Sequence, residues 1–186
     1  MFLIVVGVGG WRLYDWRQTR EAAQIGTRFE NAITLAESGN HDEAEKIFAR
    51  IAAEGTPAYR ALARTRQAAE LAQTDPAVAT EIYKQISADS SVESVLRDLA
   101  SLRAAGLQID AGSYIDARKL LEPLAQPGRD FRHAARELLA LNAWKAGDRP
   151  GALKWYAAIL TDPEAPASSR TRVEMLIALT AADGKS

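Results

Sequence analysis

Gly112-Ser-Tyr-Ile-Asp-Ala117 is one of four related segments that recur at nearly constant spacing along the chain. The other three are Gly39-Asn-His-Asp-Glu-Ala44, Thr74-Asp-Pro-Ala-Val-Ala79 and Gly147-Asp-Arg-Pro-Gly-Ala152. Their closing alanines lie 35, 38 and 35 residues apart. A period in the mid-thirties with helix-breaking residues at a fixed phase is typical of a solenoid of helical hairpins. The motif therefore predicts an all-α fold.

Each position in the motif has a physical role in a helix–turn–helix hairpin. Glycine ends a helix easily because it adopts the left-handed backbone conformation without steric penalty. The short polar residues that follow are expected to accept hydrogen bonds from the first N–H groups of the next helix; they are Asn40, Asp75, Ser113 and Asp148. The alanine is small because two antiparallel helices cross closely there. Large and aliphatic side chains four and seven residues later would fill the seam between hairpins; they are Phe48, Tyr83, Leu121 and Tyr156, and Ile51, Ile86, Leu124 and Ile159.

In its turn glycine, its alanine and its large side chain the motif resembles the tetratricopeptide repeat. We predict a right-handed solenoid of about four such hairpins in a repeat domain over residues 17–185. The repeats are expected at about 25–56, 57–89, 90–127 and 129–162, followed by a capping helix at about 168–182. Ser90-Ser-Val-Glu93 is predicted to be a capping box that opens the third repeat.

Composition limits the possible functions. A chain of 186 residues with 47% hydrophobic content can bury one sizeable core. The net charge of −1 gives no electrostatic attraction to nucleic acid, and none is expected as a partner. Cysteine is absent, which excludes disulfides, thiolate metal sites and cysteine nucleophiles.

The N-terminal stretch from Phe2 to Trp11 is apolar and carries no charge. Ten such residues are too few to cross a bilayer, which takes about 20 in a helix. A nucleotide-binding strand is disfavoured because Arg12 stands where the third glycine of G-x-G-x-x-G belongs, and a signal peptide because there is no basic start or small-residue cleavage site. We expect residues 1–16 to be the C-terminal part of a transmembrane anchor helix whose beginning precedes this sequence, with Trp11, Tyr14 and Trp16 at the interface. A buried or surface-lying helix is the alternative.

The order of apolar start, long linker helix, degenerate repeats and final lone helix resembles the ancillary Sec-translocon subunit family of bacteria. The stretches that carry this resemblance are Val8-Gly-Gly-Trp-Arg12, Leu120-Leu-Glu-Pro-Leu124 and Ala134-Ala-Arg-Glu-Leu-Leu-Ala-Leu141. The resemblance implies a single-pass protein of the bacterial inner membrane with its repeat domain on the periplasmic side. It also implies translocon subunits, a periplasmic chaperone or a client polypeptide as partners.

A rule of membrane topology points the other way. Arg12, Arg17 and Arg20 follow the apolar stretch, and positive residues prefer the cytoplasmic flank of a membrane helix. The alternative function is a soluble adaptor or assembly factor in the cytosol with the same repeat fold, in which residues 2–14 form a buried or surface-lying helix.

Catalytic patterns are missing from the sequence. His41 and His133 are the only histidines, and each is better explained by a turn or packing role than by metal binding. The serines lie outside any G-x-S-x-G elbow. We expect no enzymatic activity, no cofactor, no metal and no small-molecule substrate.

The first helix of each hairpin is expected to line a concave groove that binds other proteins. The residues assigned to that face are Phe29, Arg64, Leu71, Leu102, Ile109, Glu137 and Trp144. An apolar groove with few charges suits an extended or unfolded polypeptide segment better than an acidic tail. The alternative is a tightly coiled solenoid that buries these side chains in its core.

Overall fold

The computed structural model describes the backbone of residues 2–183 and the side chains of Trp16, Arg20 and residues 22–178. Over this range the chain is all-α, without a strand. The helices are α1 (Phe2–Glu37), α2 (His41–Glu54), α3 (Pro57–Thr74), α4 (Pro76–Ala88), α5 (Ser94–Asp110), α6 (Tyr114–Leu121), α7 (Arg132–Lys145), α8 (Arg149–Leu160) and α9 (Ala167–Asp183).

The chain divides into two compact units, Met1–Ala79 and Thr80–Ser186. The first contains α1 to α3 and the start of α4, and the second contains the rest of α4 and α5 to α9. The boundary therefore falls inside α4.

In the first unit, α1 and α3 both pack against α2. Ala32 of α1 and Ala44 and Phe48 of α2 form a fully buried cluster. The ring of Phe29 meets Phe48 edge-on at 5.3 Å between ring centroids, and meets Tyr59 of α3 at 5.8 Å. Aromatic rings thus connect all three helices of the unit.

In the second unit, α5 packs against α6 and α7, α7 against α8, and α8 against α9. One core cluster contains Leu102, Ile109, Leu121 and Leu139. A second contains Tyr156, Ile159 and Val173 and extends the packing to α9. The second unit thus contains two core clusters that follow one another along the chain.

The repeat phase derived from the sequence is confirmed by burial. All four closing alanines are buried, at 0 or 1% exposure. The eight larger positions that follow them are also buried, none with more than 4% exposure: Phe48, Tyr83, Leu121, Tyr156, Ile51, Ile86, Leu124 and Ile159. Leu124 lies just beyond the end of α6, so the period continues where the helix itself has stopped.

The turn glycines end their helices as predicted. Gly39, Gly112 and Gly147 have φ values of 82°, 78° and 81°. In the first of these turns the N–H of Asn40 donates to the carbonyl of Leu35 at 2.9 Å, and the N–H of Gly39 donates to Ala36 at 3.0 Å. This is the Schellman arrangement, in which a left-handed residue allows the last carbonyls of the helix to be satisfied.

The capping predictions are confirmed at two positions out of four. Asp75 Oδ1 accepts from the N–H of Val78 at 3.1 Å, and Asp148 Oδ1 accepts from the N–H of Gly151 at 2.9 Å. Asn40 and Ser113 make no side-chain cap. The carboxylates form the caps, whereas the amide and the hydroxyl do not.

The predicted capping box at residues 90–93 is wrong. α5 begins only at Ser94, with Glu93 as its N-cap residue. The segment instead includes a turn before α5, in which the N–H and Oγ of Ser91 donate to Asp89 Oδ1 at 3.1 and 2.6 Å. Val92 is buried immediately before the helix.

α1 is one continuous helix from the apolar N-terminal stretch into the first hairpin. Trp16 is half-exposed, and the guanidinium carbon of Arg20 lies 3.9 Å from the centre of its ring. Among the described residues, no helix combines the length and the apolar character needed to cross a membrane.

Enlarging an alanine at a hairpin crossing is expected to destabilise the second unit. Ala117 has no exposed surface and lies in the core cluster shared by α5 and α6. Ala117→Leu should lower the free energy of unfolding by about 1–3 kcal/mol, because the extra methylenes have no space. Urea titration would measure the loss, with Ala134→Leu as control because Ala134 is exposed on α7. Equal stability of both variants would contradict close packing at this crossing.

Candidate functional site

One surface of the second unit combines an exposed aromatic ring with paired charges. Lys145 Nζ of α7 donates to Asp110 Oδ1 of α5 at 2.8 Å. Arg172 of α9 donates to Glu137 of α7 through Nε at 2.8 Å and through Nη2 at 3.1 Å. These pairs connect α5, α7 and the closing helix α9 at one surface. We call it the α5/α7/α9 face and define it by Arg103, Gly106, Asp110, Glu137, Leu141, Trp144, Lys145 and Arg172.

Helix periodicity aligns the members of this face. Residues three and four apart lie on the same side of a helix, and this spacing joins Arg103, Gly106 and Asp110 in α5 and Glu137, Leu141 and Trp144 in α7. Each inter-helix ion pair connects residues 35 positions apart. Equivalent positions of successive first helices therefore lie side by side.

The charges of the α5/α7/α9 face are largely neutralised within the protein. Asp110 and Glu137 each hold one cation, and the hydrogen bond that Arg172 donates to Glu137 raises the pKa of Arg172. Because Lys145 and Arg172 are partly exposed, such pairs contribute orientation more than stability. With Arg103 the face has three basic and two acidic members, and therefore a formal charge of +1.

Trp144 is the most accessible apolar group of this face. Its side chain is 39% exposed, whereas its neighbours Leu139, Ala140 and Ala143 on the same helix are buried. Large aromatic side chains dominate the energetic centres of protein interfaces. Of the residues that the sequence assigned to a groove, Trp144 and Glu137 are the two that the structure places here.

Leu102 and Ile109 lie in the core of the second unit, with 8 and 1% exposure. They stand 35 residues before Glu137 and Trp144, yet they pack with Ala135 and Leu139 of the next first helix. The α5 residues that reach the surface, Arg103 and Asp110, each come one position after Leu102 and Ile109. Leu102 and Ile109 are therefore buried in the core, as the alternative of a tightly coiled solenoid predicted, and do not line a groove.

The three groove residues predicted in the first unit are half-buried. Phe29 belongs to the aromatic contacts between α1, α2 and α3. Leu71 lines a cavity of about 150 Å³ beside His41 and Glu70. Arg64 lies on α3, between Tyr59 and Leu71 in the sequence. Phe29 is therefore part of the helix packing of the first unit, whereas Leu71 lies at the edge of a small polar cleft.

Asp162 is the centre of a charged cluster that the sequence did not reveal. Its Oδ2 accepts from Arg136 at 2.7 Å and from Arg132 Nε at 3.1 Å, and His133 Nε2 lies at 3.1 Å. The backbone N–H of Glu164, followed by Arg132, holds the pKa of Asp162 well below its ordinary value. In the sequence this aspartate was recognisable only as the residue before a helix-breaking proline.

Arg136 connects this cluster to the core. It is 8% exposed and donates through Nε to the carbonyl of Ala125 at 3.1 Å. Its Nη1 donates to the carbonyl of Ala158 at 3.1 Å as well as to Asp162. A single guanidinium thus joins the end of the third repeat, α8 and the turn after α8.

The two histidines have structural partners. His41 Nδ1 lies 2.7 Å from Oε2 of Glu70, which is almost fully buried, and His133 contacts Asp162. Within the part of the chain that the structure describes, no group of histidine and acidic residues could hold a metal ion. The first contact joins α2 to α3, and the second joins α7 to the turn after α8.

Comparison with known proteins gives two matches. The family model described as "Tetratricopeptide repeat-like domain" matches residues 1–177. A protein of Escherichia coli (strain K12) named "Ancillary SecYEG translocon subunit" is 28% identical over 167 residues, which cover 86% of this chain and 78% of that protein. No solved structure gives a significant match. The two matches confirm the resemblance drawn from the sequence.

Proposed function

Because the chain belongs to the tetratricopeptide repeat-like domain family, we propose that it is a non-catalytic, protein-binding scaffold of the bacterial protein-export machinery. The α5/α7/α9 face is its docking surface in the second unit. Its partners are subunits of the SecYEG translocon, together with a periplasmic chaperone or a client polypeptide. The choice of machinery is supported by the name of the Escherichia coli relative.

The observation that carries the docking proposal is the exposed ring of Trp144 on an otherwise well-packed helix. Leaving part of this ring in water forgoes burial of apolar surface, which favours folding by about 25 cal/mol per Å². A partner that covers the ring would recover this term. The flanking ion pairs would surround the contact as a polar rim, the usual arrangement of a protein interface.

We further propose that the apolar start of α1 anchors the protein in the inner membrane, with the repeat domain in the periplasm. Trp16 and Arg20 support this role, because tryptophan favours the membrane interface and arginine can extend its charge toward headgroups. Extraction of isolated membranes at alkaline pH should leave the protein in the pellet. Protease added to spheroplasts should then remove the repeat domain; protection from protease, or release into the soluble fraction, would favour the cytosolic adaptor.

Truncation of Trp144 is expected to weaken the association with the translocon. SecYEG purified by an affinity tag from the source bacterium should recover the wild-type protein. Trp144→Ala should reduce recovery about tenfold or more, since central aromatic residues contribute about 1–3 kcal/mol to binding. Circular dichroism of the variant should remain helical because the ring is partly exposed.

Leu153→Ala is the matched control for this experiment. Leu153 is 47% exposed on α8, outside the α5/α7/α9 face, so its truncation should leave recovery unchanged. Full recovery of a folded Trp144→Ala variant would overturn the docking surface. Failure of the wild-type protein to copurify with SecYEG would overturn the proposed function.

A further inference from the structure

A partly open cleft of about 170 Å³ lies in the first unit, between α1 and α2. These helices are packed neighbours joined by the turn at residues 38–40, and the end of α2 lies beside residues 24–28 of α1. Each helix contributes one arginine to the cleft, Arg28 from α1 and Arg50 from α2. A cavity of about 150 Å³ is large enough for one benzene molecule, so this cleft has room for a small polar group.

The two guanidinium groups of the cleft are left without a protein partner in the described part of the chain. No carboxylate of that part forms an ion pair with Arg28 or Arg50, although Glu54 lines the same cleft. In the second unit, by contrast, four arginines each hold a carboxylate: Arg129, Arg132, Arg136 and Arg172. The arginines of the cleft therefore keep their hydrogen-bond donors available to a ligand.

The other residues that line the cleft limit what it can bind. Gln24 adds an amide donor, and Ile25 and Ile51 supply apolar surface, which strengthens a nearby charge contact by lowering the local dielectric constant. Among the described lining residues Glu54 alone is acidic, so two arginines and one glutamate give the cleft a formal charge of +1. Because the carbonyl end of α2 adds partial negative charge, an anion needs both arginines to be held.

We propose that Arg28 and Arg50 bind a phosphate group in this cleft. A guanidinium presents a planar fork of N–H donors that matches the oxygens of a carboxylate or a phosphate. The two oxygens of a carboxylate lie in one plane and can be occupied by a single fork, whereas phosphate oxygens point in several directions and can accept from two forks. Two arginines on two helices therefore favour phosphate. This site does not depend on the α5/α7/α9 face, which belongs to the other unit.

The phosphate can come from a soluble molecule or from a phospholipid headgroup, since the chemistry at the cleft is the same. A row of exposed residues at intervals of four leads along α1 to the cleft: Trp16, Arg20, Gln24 and Arg28. About 18 Å of helix separates Arg28 from Trp16. A headgroup therefore reaches the cleft only where α1 inclines toward the membrane surface, whereas a soluble phosphate needs no such orientation.

The test uses the full chain in a mild neutral detergent and follows the Nε–H signals of its arginines by NMR. Sodium phosphate should shift the signals of Arg28 and Arg50 until they saturate, and sodium acetate at equal ionic strength should shift them much less. Arg28→Gln and Arg50→Gln should each raise Kd for phosphate about tenfold or more, measured on the remaining arginine, because charge-assisted hydrogen bonds are lost. Glu54→Gln should lower Kd, because a carboxylate beside the anion is removed.

Arg66→Gln is the matched control, since Arg66 is exposed on α3 outside the cleft and its loss changes the net charge equally. It should leave Kd unchanged. Circular dichroism should show that all variants stay helical, because the substituted side chains are exposed. An effect of Arg66→Gln as large as that of Arg28→Gln, or acetate binding as tight as phosphate binding, would overturn the inference.

Lipids of matched acyl chains distinguish the two sources of phosphate. Detergent micelles are doped with phosphatidylglycerol or with diacylglycerol, which lacks the phosphate. Saturation by phosphatidylglycerol at a lower concentration than by inorganic phosphate, with no effect of diacylglycerol, would identify a lipid headgroup. A response to inorganic phosphate alone would identify a soluble ligand. If neither phosphatidylglycerol nor inorganic phosphate gave a saturable shift, there would be no phosphate site in this cleft.

Discussion

Phe48→Ala is expected to lower the free energy of unfolding of the first unit by about 3–5 kcal/mol. Phe48 has no exposed surface, and its ring packs edge-on against Phe29 of α1. Because Phe29 also contacts Tyr59 of α3, loss of the ring would leave a cavity where all three helices meet. The cost therefore includes both the lost apolar burial and the unfilled volume.

Hydrogen exchange is the suitable measurement for this variant. The chain has two compact units, so a single unfolding curve need not report on one of them. Amides of α2 and α3 should exchange much faster in Phe48→Ala than in the wild-type protein. Ile47→Ala is the control, because Ile47 is only half-buried next to the same cluster and should cost less. Equal effects of the two variants would contradict the central position of Phe48.

The second large effect is expected at Arg136. Arg136→Ala should destabilise the second unit by about 3 kcal/mol, the range found when one partner of a buried ion pair is removed. The carbonyls of Ala125 and Ala158 would lose their donor, and Asp162 would lose its shortest cationic contact. Arg136→Lys should rescue little, because one ammonium group cannot reproduce the forked geometry of the guanidinium.

Urea unfolding followed by hydrogen exchange in α7 and α8 would measure this loss. Arg118→Ala serves as control, since Arg118 is exposed on α6. A loss as small as that of the control would mean that water replaces the contacts of Arg136.

Acid titration gives an independent view of the same cluster. The pKa of Asp162 is depressed in the folded protein, so its stabilising contribution is present above the ordinary value of 3.8 and declines as the pH falls below it. In Asp162→Asn this contribution should be missing at neutral pH, and the difference from the wild-type protein should shrink in acid.

Some features of the fold depend on residues that are close in the sequence, and others depend on residues that are far apart. The turn glycines and the twelve buried positions of the repeats were predictable, because a helix reversal and a helix face depend on residues within a few positions of each other. The capping box at residues 90–93 was not, although it follows a local rule. There Ser91 bonds to Asp89 in a turn, and the helix begins only at Ser94.

The candidate site was predictable only in part. Trp144 and Glu137 were assigned to a binding face from helix register, but the same register in α5 selected Leu102 and Ile109, which are buried. Equivalent positions in successive repeats differ in exposure because each helix is covered by different neighbours.

The sequence by itself determined the helical-repeat class, the phase of the repeats and the identity of their core, since all three are encoded in periodic spacing along one chain. Tertiary structure alone decided which side chains of the first helices remain at the surface. It also decided that Asp162 gathers Arg132, His133 and Arg136 at one corner. The physical reason is that exposure and ion pairing depend on residues about 26 to 35 positions away, whose distance in space only the packing of the helices sets.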